Sequence, residues 1–158
     1  MASCVKKEGD LYYGEDPMMG QTRGMDPWAV EHSIHLISMD ETCAQGIMSI
    51  NDQNTQQYGT VHGGMLTAFA DTIAGHSLVP HGKMCVTQSS TVNFLRPAKG
   101  TYLLCRAVPL KVGKTTCVVS VEQLSDEDEL VLSALFTFAV AREITPVTLP
   151  PEYPILRR

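Results

Sequence analysis

One stretch constrains everything around it. Residues 54 to 76 read NTQQYGTVHGGMLTAFADTIAGH: a polar, amide-rich run that ends in His62-Gly63-Gly64 and passes into the one convincing helix pattern of the sequence. Leu66, Phe69, Ala70 and Ile73 recur at helical spacing and define a buried face. The glycines at the first turn let another backbone or a ligand approach N–H groups that have no acceptor inside the helix. The helix therefore opens with unpaired donors and a partial positive charge, which suits an oxygen that is gaining negative charge. Further along the same helix sits a carboxylate, Asp71.

Asp71 follows Gly64 by about seven residues, which at ~1.5 Å per residue sets it roughly 10 Å down the axis. It cannot reach a carbonyl polarised by its own helix start. If donors and carboxylate serve one site, a second copy of the chain has to supply one of them. Gly64, Thr67, Ala74 and Gly75 are small and lie near Asp71 on the helical wheel, which leaves room for such an approach. The expectation is a homodimer with two shared sites.

Everything after the helix is extended in pattern. Pro80 and Gly82 close the helix. Met84 to Leu95 is rich in Val and Thr. Thr101 to Val112 alternates, and Pro109 predicts a bulge or irregular ladder there. Thr115 to Leu124 and Leu130 to Val140 follow, joined by polar turns. Ahead of the helix, Ser33 to Met39 and Cys43 to Ile50 flank Asp40-Glu41-Thr42 and read as a hairpin. Six strands around one helix, mostly joined by short turns, imply an antiparallel sheet wrapped about it. Residues 1–27 form a loose or partly helical lead-in, 28–142 the domain, and 143–158 a Pro-rich, extended arm.

The composition closes off other classes. A chain of 158 residues that is 44% hydrophobic is the size of one domain with a real core. Its net charge of −5 and its 12 dispersed Lys and Arg offer no basic stripe for nucleic acid. No segment resembles a signal peptide or a membrane span, so a cytoplasmic protein without a membrane partner is expected. Five cysteines without a C-x-x-C spacing read as reduced thiols in the core. His32 with His35 and His76 with His81 lack a third ligand at a recognised spacing, so no metal is expected. The phosphate-binding glycine patterns are absent as well.

The run Gln56 to Gly75, followed by Val92-Asn93-Phe94-Leu95-Arg96-Pro97-Ala98-Lys99-Gly100, resembles the hotdog-fold acyl-CoA thioesterases, in particular the PaaI-like (phenylacetate-degradation) branch. The resemblance covers roughly Trp28 to Arg142. It implies an α+β hotdog fold, an antiparallel sheet around one long central helix, and a hydrolase that splits acyl-CoA into acid and coenzyme A without a cofactor. Asp71 matches the catalytic nucleophile or general base, Gly63 the backbone donor to the thioester carbonyl, and Gln56 an amide lining the same pocket. Thr87 corresponds to a hydroxyl that holds the attacking water. His62 and Gly64 border the substrate, although His62 suits a helix brace at least as well. The resemblance also implies that the site draws on both subunits, as the distance argument does.

Each assignment has a plainer counterpart. Asp71 could be an ordinary helix carboxylate, but its mostly small and apolar neighbours make a solvated face hard to draw. Gln56 could merely pin its loop. Arg96, Lys111 and Lys114 are candidates for the coenzyme phosphates, against the usual solvated role of turn cations. Met65, Phe69, Leu78 and Met84 are candidates for the acyl pocket, aryl or aliphatic. A hotdog module that binds acyl-CoA as a sensor, without cleaving it, is the alternative function, and a hydratase or dehydratase would need more around His76 than is there. The assembly is left open between a dimer and a dimer of dimers.

Overall fold

The computed structural model of the chain describes residues 5–8, 11–14 and 27–149. In chain order the elements are β1 (Val5–Glu8), β2 (Leu11–Gly14), α1 (Pro27–Glu31), β3 (Ile34–Met39), β4 (Ala44–Ser49), α2 (Gly63–His76), β5 (Lys83–Phe94), β6 (Tyr102–Val112), β7 (Thr116–Ser125) and β8 (Leu130–Glu143). A 3₁₀ turn at Val79–His81 follows α2, and Gly82 takes the left-handed conformation (φ 71°) that ends it. The stop signals at Pro80 and Gly82 thus act one turn beyond the α-helix itself.

Six strands form one antiparallel sheet in the order β3-β4-β6-β7-β8-β5. The hairpins are as the turn chemistry implies. The position of β5 is not: it leaves the helix and joins β8 at the far edge, where it pairs from Lys83↔Glu143 to Phe94↔Leu132. Its other side has no strand among the described residues. The irregularity at Pro109 appears as a register shift between Pro109 and Lys111 against β7, since proline cannot donate to the ladder.

The lead-in differs from expectation. Val5–Glu8 and Leu11–Gly14 pair as a short antiparallel ladder, Val5↔Gly14 to Glu8↔Leu11. Four-residue strands are too short to show a period in sequence, and only the turn-forming Gly9-Asp10 between them hinted at a hairpin. The remaining lead-in, residues 1–4, 9–10 and 15–26, and the arm beyond 149 lie outside the described residues. Pro27 opens α1, a position where its missing N–H costs nothing.

The sheet curls around α2. Leu66, Phe69, Ala70, Ile73 and Ala74 of the helix are buried against Leu36, Met48, Leu103, Val119, Val121, Leu132, Phe136 and Phe138. Each large apolar side chain so buried contributes about 1.5–3 kcal/mol relative to exposure. At Gly46 of β4 a Cβ would overlap the Ile73 side chain, so the absent side chain lets the helix settle onto the sheet. The arm after β8 closes the end of the curl: Ile144 N–H donates to Gly82 O at 2.9 Å, and Leu149 exchanges both backbone bonds with Met39 at 2.7 and 2.9 Å. Val147 and Leu149 rest on the core.

Cys43, Cys85, Cys105 and Cys117 are free thiols. Burial pushes the Cys105 thiol well up, and burial together with the neighbouring Cys117 pushes Cys85 up to about 12. Both stay protonated at neutral pH and are poor nucleophiles.

Asp40 shapes the β3–β4 turn. Its Oδ1 accepts from the Thr42 N–H (2.7 Å), the Thr42 hydroxyl (2.5 Å) and the Cys43 N–H (3.0 Å). Partial burial works to raise its pKa, but these bonds and the Arg106 charge outweigh that and hold it below the usual carboxylate range. A depressed folded-state pKa stabilises the fold above the unfolded value of about 3.9 and loses that contribution as pH falls through the folded one. Asp40→Ala should therefore cost about 1 kcal/mol at pH 7, a few degrees in Tm, since water screens this half-buried turn. The difference between variant and parent should shrink toward acid, which thermal melts at pH 7 and pH 3 would check.

Candidate active site

The amide-rich run is a clamp for the helix start. Asn54 is buried; its Oδ1 accepts from Asn51 N–H, its amide donates to Ser49 O at 2.7 Å, and its carbonyl accepts from His62 N–H at 2.9 Å. Val61 N–H donates to Ala98 O at 3.0 Å, which ties the same point to the turn after β5. Asn54 had no assigned role in sequence; the Asn51-x-x-Asn54 spacing ahead of a helix was the available signal.

His62 is the N-cap. Its backbone is extended (φ −63°, ψ 135°) and its Nδ1 accepts from Gly64 N–H at 2.9 Å. That bond occupies the Gly64 donor and favours the brace for His62, with its ring half turned back on the helix. Met65 and Leu66 N–H groups go to His62 O at 2.9 and 3.1 Å. Gly63 N–H has no acceptor among the described residues. The glycine pair therefore divides: Gly64 is satisfied inside the chain, and Gly63 carries the unpaired donor at the positive end of α2. A Cβ on Gly63 would lie 3.4 Å from the tip of the Phe94 ring. Phe94, 53% exposed, is thus a wall beside that donor which sequence spacing did not single out.

Asp71 lies two turns along α2 and is half-buried, not enclosed, with Thr67, Ala68, Thr72 and Gly75 forming an equally half-open face around it. Its Oδ1 accepts a hydrogen bond from Thr87 Oγ1 of β5 at 2.6 Å. The structure thus brings Asp71 and Thr87 together and leaves Gly63 about two helical turns away, roughly 12 Å along the axis. A second cluster sits on the loop: Gln56 Nε2 donates to Thr60 Oγ1 at 2.8 Å, and Gln56 N–H to Thr60 O at 2.8 Å. Its amide nitrogen is engaged in pinning its own turn.

Two other groups of candidates find their surroundings. Arg96 Nη1 donates to Leu130 O at 2.9 Å and its Nε stands 4.0 Å from Glu129, so it braces the β7–β8 turn. Phe69 and Leu78 are closed in the core, leaving Met65 (half-buried) and Met84 (43% exposed) of the acyl-pocket candidates accessible. Among the described residues no three His, Cys, Asp or Glu side chains gather in a way that could hold a metal ion. His32 instead stacks on Trp28, ring centroids 4.5 Å apart. No described helix is long and apolar enough to cross a membrane.

The described residues thus offer a carboxylate tethered by a hydroxyl and a helix-start N–H without an acceptor, on separate turns of one helix. Known proteins bear on the family and the fold. Residues 58–132 match the thioesterase superfamily pattern. Acyl-coenzyme A thioesterase PaaI of Escherichia coli K12 is 33% identical over 112 residues, covering 70% of this chain and 79% of that protein. The solved structure of the E. coli PaaI protein superposes with a TM-score of 0.74 at 27% identity, covering 80% of this chain and 93% of that one. A hypothetical thioesterase protein of Streptococcus pneumoniae TIGR4, crystallised with coenzyme A, gives a TM-score of 0.73 at 26% identity, with 80% and 99% covered. The long helix on a six-stranded antiparallel sheet is the hotdog architecture, and the chain belongs to the thioesterase superfamily.

Proposed function

We propose that the protein hydrolyses acyl-CoA thioesters to the free acid and coenzyme A, in sites assembled from Gly63 of one protomer and Asp71 of its partner in a homodimer. The observation that carries this reading is the pairing of an unpaired Gly63 N–H with a Thr87-tethered Asp71 too far along the same helix to serve it. The E. coli relative bears the name acyl-coenzyme A thioesterase, and the streptococcal one was crystallised with coenzyme A.

The edge strand supports the dimer. β5 is 12 residues long, pairs on one side only among the described residues, and exposes Met84 (43%), Val86 (59%) and Phe94 (53%). An unpaired edge of that length is a template for another strand unless it is covered. Two-fold pairing of β5 with its copy would extend the sheet and bring each Asp71, bonded to β5 through Thr87, toward the partner's helix start.

In the reaction the thioester carbonyl rests against the Gly63 N–H. Asp71 takes a proton from water as it attacks, or attacks itself to give an anhydride that water then opens. The Thr87 proton is engaged on Oδ1, which leaves the other carboxylate oxygen for chemistry and the hydroxyl lone pairs to accept from the water. The departing sulfur is protonated to the free thiol of coenzyme A. Gln56, held to Thr60, shapes the pocket wall through its loop. Gly64 contributes by lacking a side chain, and His62 by capping.

A mixed-dimer experiment tests the shared site. Asp71→Asn and Gly63→Pro dimers should each be nearly inactive toward acyl-CoA in a free-thiol assay. Chains of the two variants, unfolded together and refolded, should recover about a quarter of parental activity, because half the dimers are hybrids with one intact site each. No recovery in a mixture proven to contain hybrids would place both groups within one protomer. An inactive parent that still binds acyl-CoA would instead favour the sensor.

A further inference from the structure

α2 carries both the Gly63 donor and Asp71, so its placement on the sheet sets the geometry of both. Most of what holds it there is non-directional. Leu66, Phe69, Ala70, Ile73 and Ala74 are buried among apolar side chains, and such contacts resist separation far more than they resist a small slide or rotation. Two sheet residues differ in kind: Thr87 on the half-open edge strand, which bonds Asp71, and one inside the core. Gln123 of β7 has no solvent exposure, faces the helix from the middle of the sheet, and its Nε2 donates to the Leu66 carbonyl in the first turn of α2 at 2.8 Å. Its Oε1 is buried without a hydrogen-bond partner, although the side chain also bonds the buried Cys105 thiol directly across on β6. A buried amide oxygen left unpaired opposes stability, and an apolar side chain of the same shape would avoid that cost. The core thus keeps a glutamine where stability alone favours methionine or leucine.

We propose that Gln123 is a positioning residue: its bond to the Leu66 carbonyl locks the rotation and height of α2 on the sheet, so that Gly63 and Asp71 are held at the spacing the shared site needs. The proposal rests on the thioesterase reading for its kinetic consequence, but the lock itself is a property of the fold. Leu66 O already lies where the helix ladder uses it, and a second donor from the sheet fixes its direction in space as no methyl contact can. The bond also falls three residues from Gly63, within the turn whose donors matter.

Two variants test it. Gln123→Met keeps volume and removes the donor. It should melt at or above the parental temperature, lose roughly tenfold or more in kcat with KM little changed, since misplacement of about 1 Å can cost on the order of a hundredfold. Amides of residues 63–70 should exchange faster in this variant while those of β6 and β7 do not. Parental kcat, or unaltered exchange in the α2 amides, would overturn the proposal. The exchange measurement does so even if the parent cleaves no thioester, whereas an inactive parent with the expected exchange change would count against the thioesterase reading alone.

Gln123→Glu carries the test should the methionine variant fail to fold. A buried glutamic acid has a raised pKa, and its neutral form can still donate to Leu66 O. Its kcat relative to parent should be near one at acid pH and fall as the acid ionises, with circular dichroism unchanged over that range. A flat ratio, or loss of the fold in step with activity, would overturn the positioning role.

Discussion

Asp71→Asn should nearly abolish thioester cleavage, by at least a hundredfold in kcat and up to about ten-thousandfold, the range expected for losing a positioned base or nucleophile. Asparagine matches the shape of aspartate, and its Oδ1 can still accept from Thr87 Oγ1, so the bond that now joins helix and edge strand survives the change. What goes is the capacity to accept a proton or to attack. The fold and the dimer should therefore be intact by melting temperature and sedimentation, and acyl-CoA should still bind. An Asp71→Asn protein that keeps most of its turnover would remove the carboxylate from the chemistry and leave it a structural link to β5.

Gly63→Pro is the more discriminating change. Proline at the first helical position is favoured, because its fixed φ suits the helix and its missing N–H is one that the helix does not use. Residue 62 is already in the extended conformation that a following proline requires. The substitution thus deletes one hydrogen-bond donor and leaves the helix intact, and Phe94, more than half exposed, can yield to the ring. The loss of one oxyanion donor corresponds to about 10²–10³ in kcat. Helicity and Tm should change little. The Gly63→Ala protein, which retains the N–H, should lose far less, so the ratio between the two variants isolates the donor from its surroundings. Equal rates for alanine and proline would show that the Gly63 N–H does not touch the developing charge.

Both experiments rest on a division of labour that was only partly visible in one dimension. Local rules were readable. The His-Gly-Gly start, the helical spacing of Leu66, Phe69, Ala70 and Ile73, the breakers at Pro80 and Gly82, and the bulge at Pro109 all depend on residues a few positions apart, where backbone sterics and periodicity decide. The family resemblance lies in the same short stretch, and it points to Asp71 and Gly63 by position alone. The separation of those two along one helix also follows from the rise per residue alone.

Contacts across long sequence separations were of another kind. Nothing near β5 says that it pairs with β8 at the far edge of the sheet, because strand order is set by how the whole sheet curls over α2. The bond from Thr87 to Asp71 follows from that placement. The division between the glycines is local by contrast, because the His62 ring turns back onto the Gly64 N–H two residues on. The sequence does not show that Arg96 braces the β7–β8 turn, because Leu130 and Glu129 reach it only through the strand pairing. Gln123, one polar residue in an alternating strand, gave no sign of lying beneath Leu66. By itself the sequence determined the helix, its donors and its acid, because those are matters of spacing within a few turns. Only the tertiary structure decided which of these groups are already satisfied and which edge stands open, because partners brought together from distant parts of the chain are chosen by packing and not by local preference.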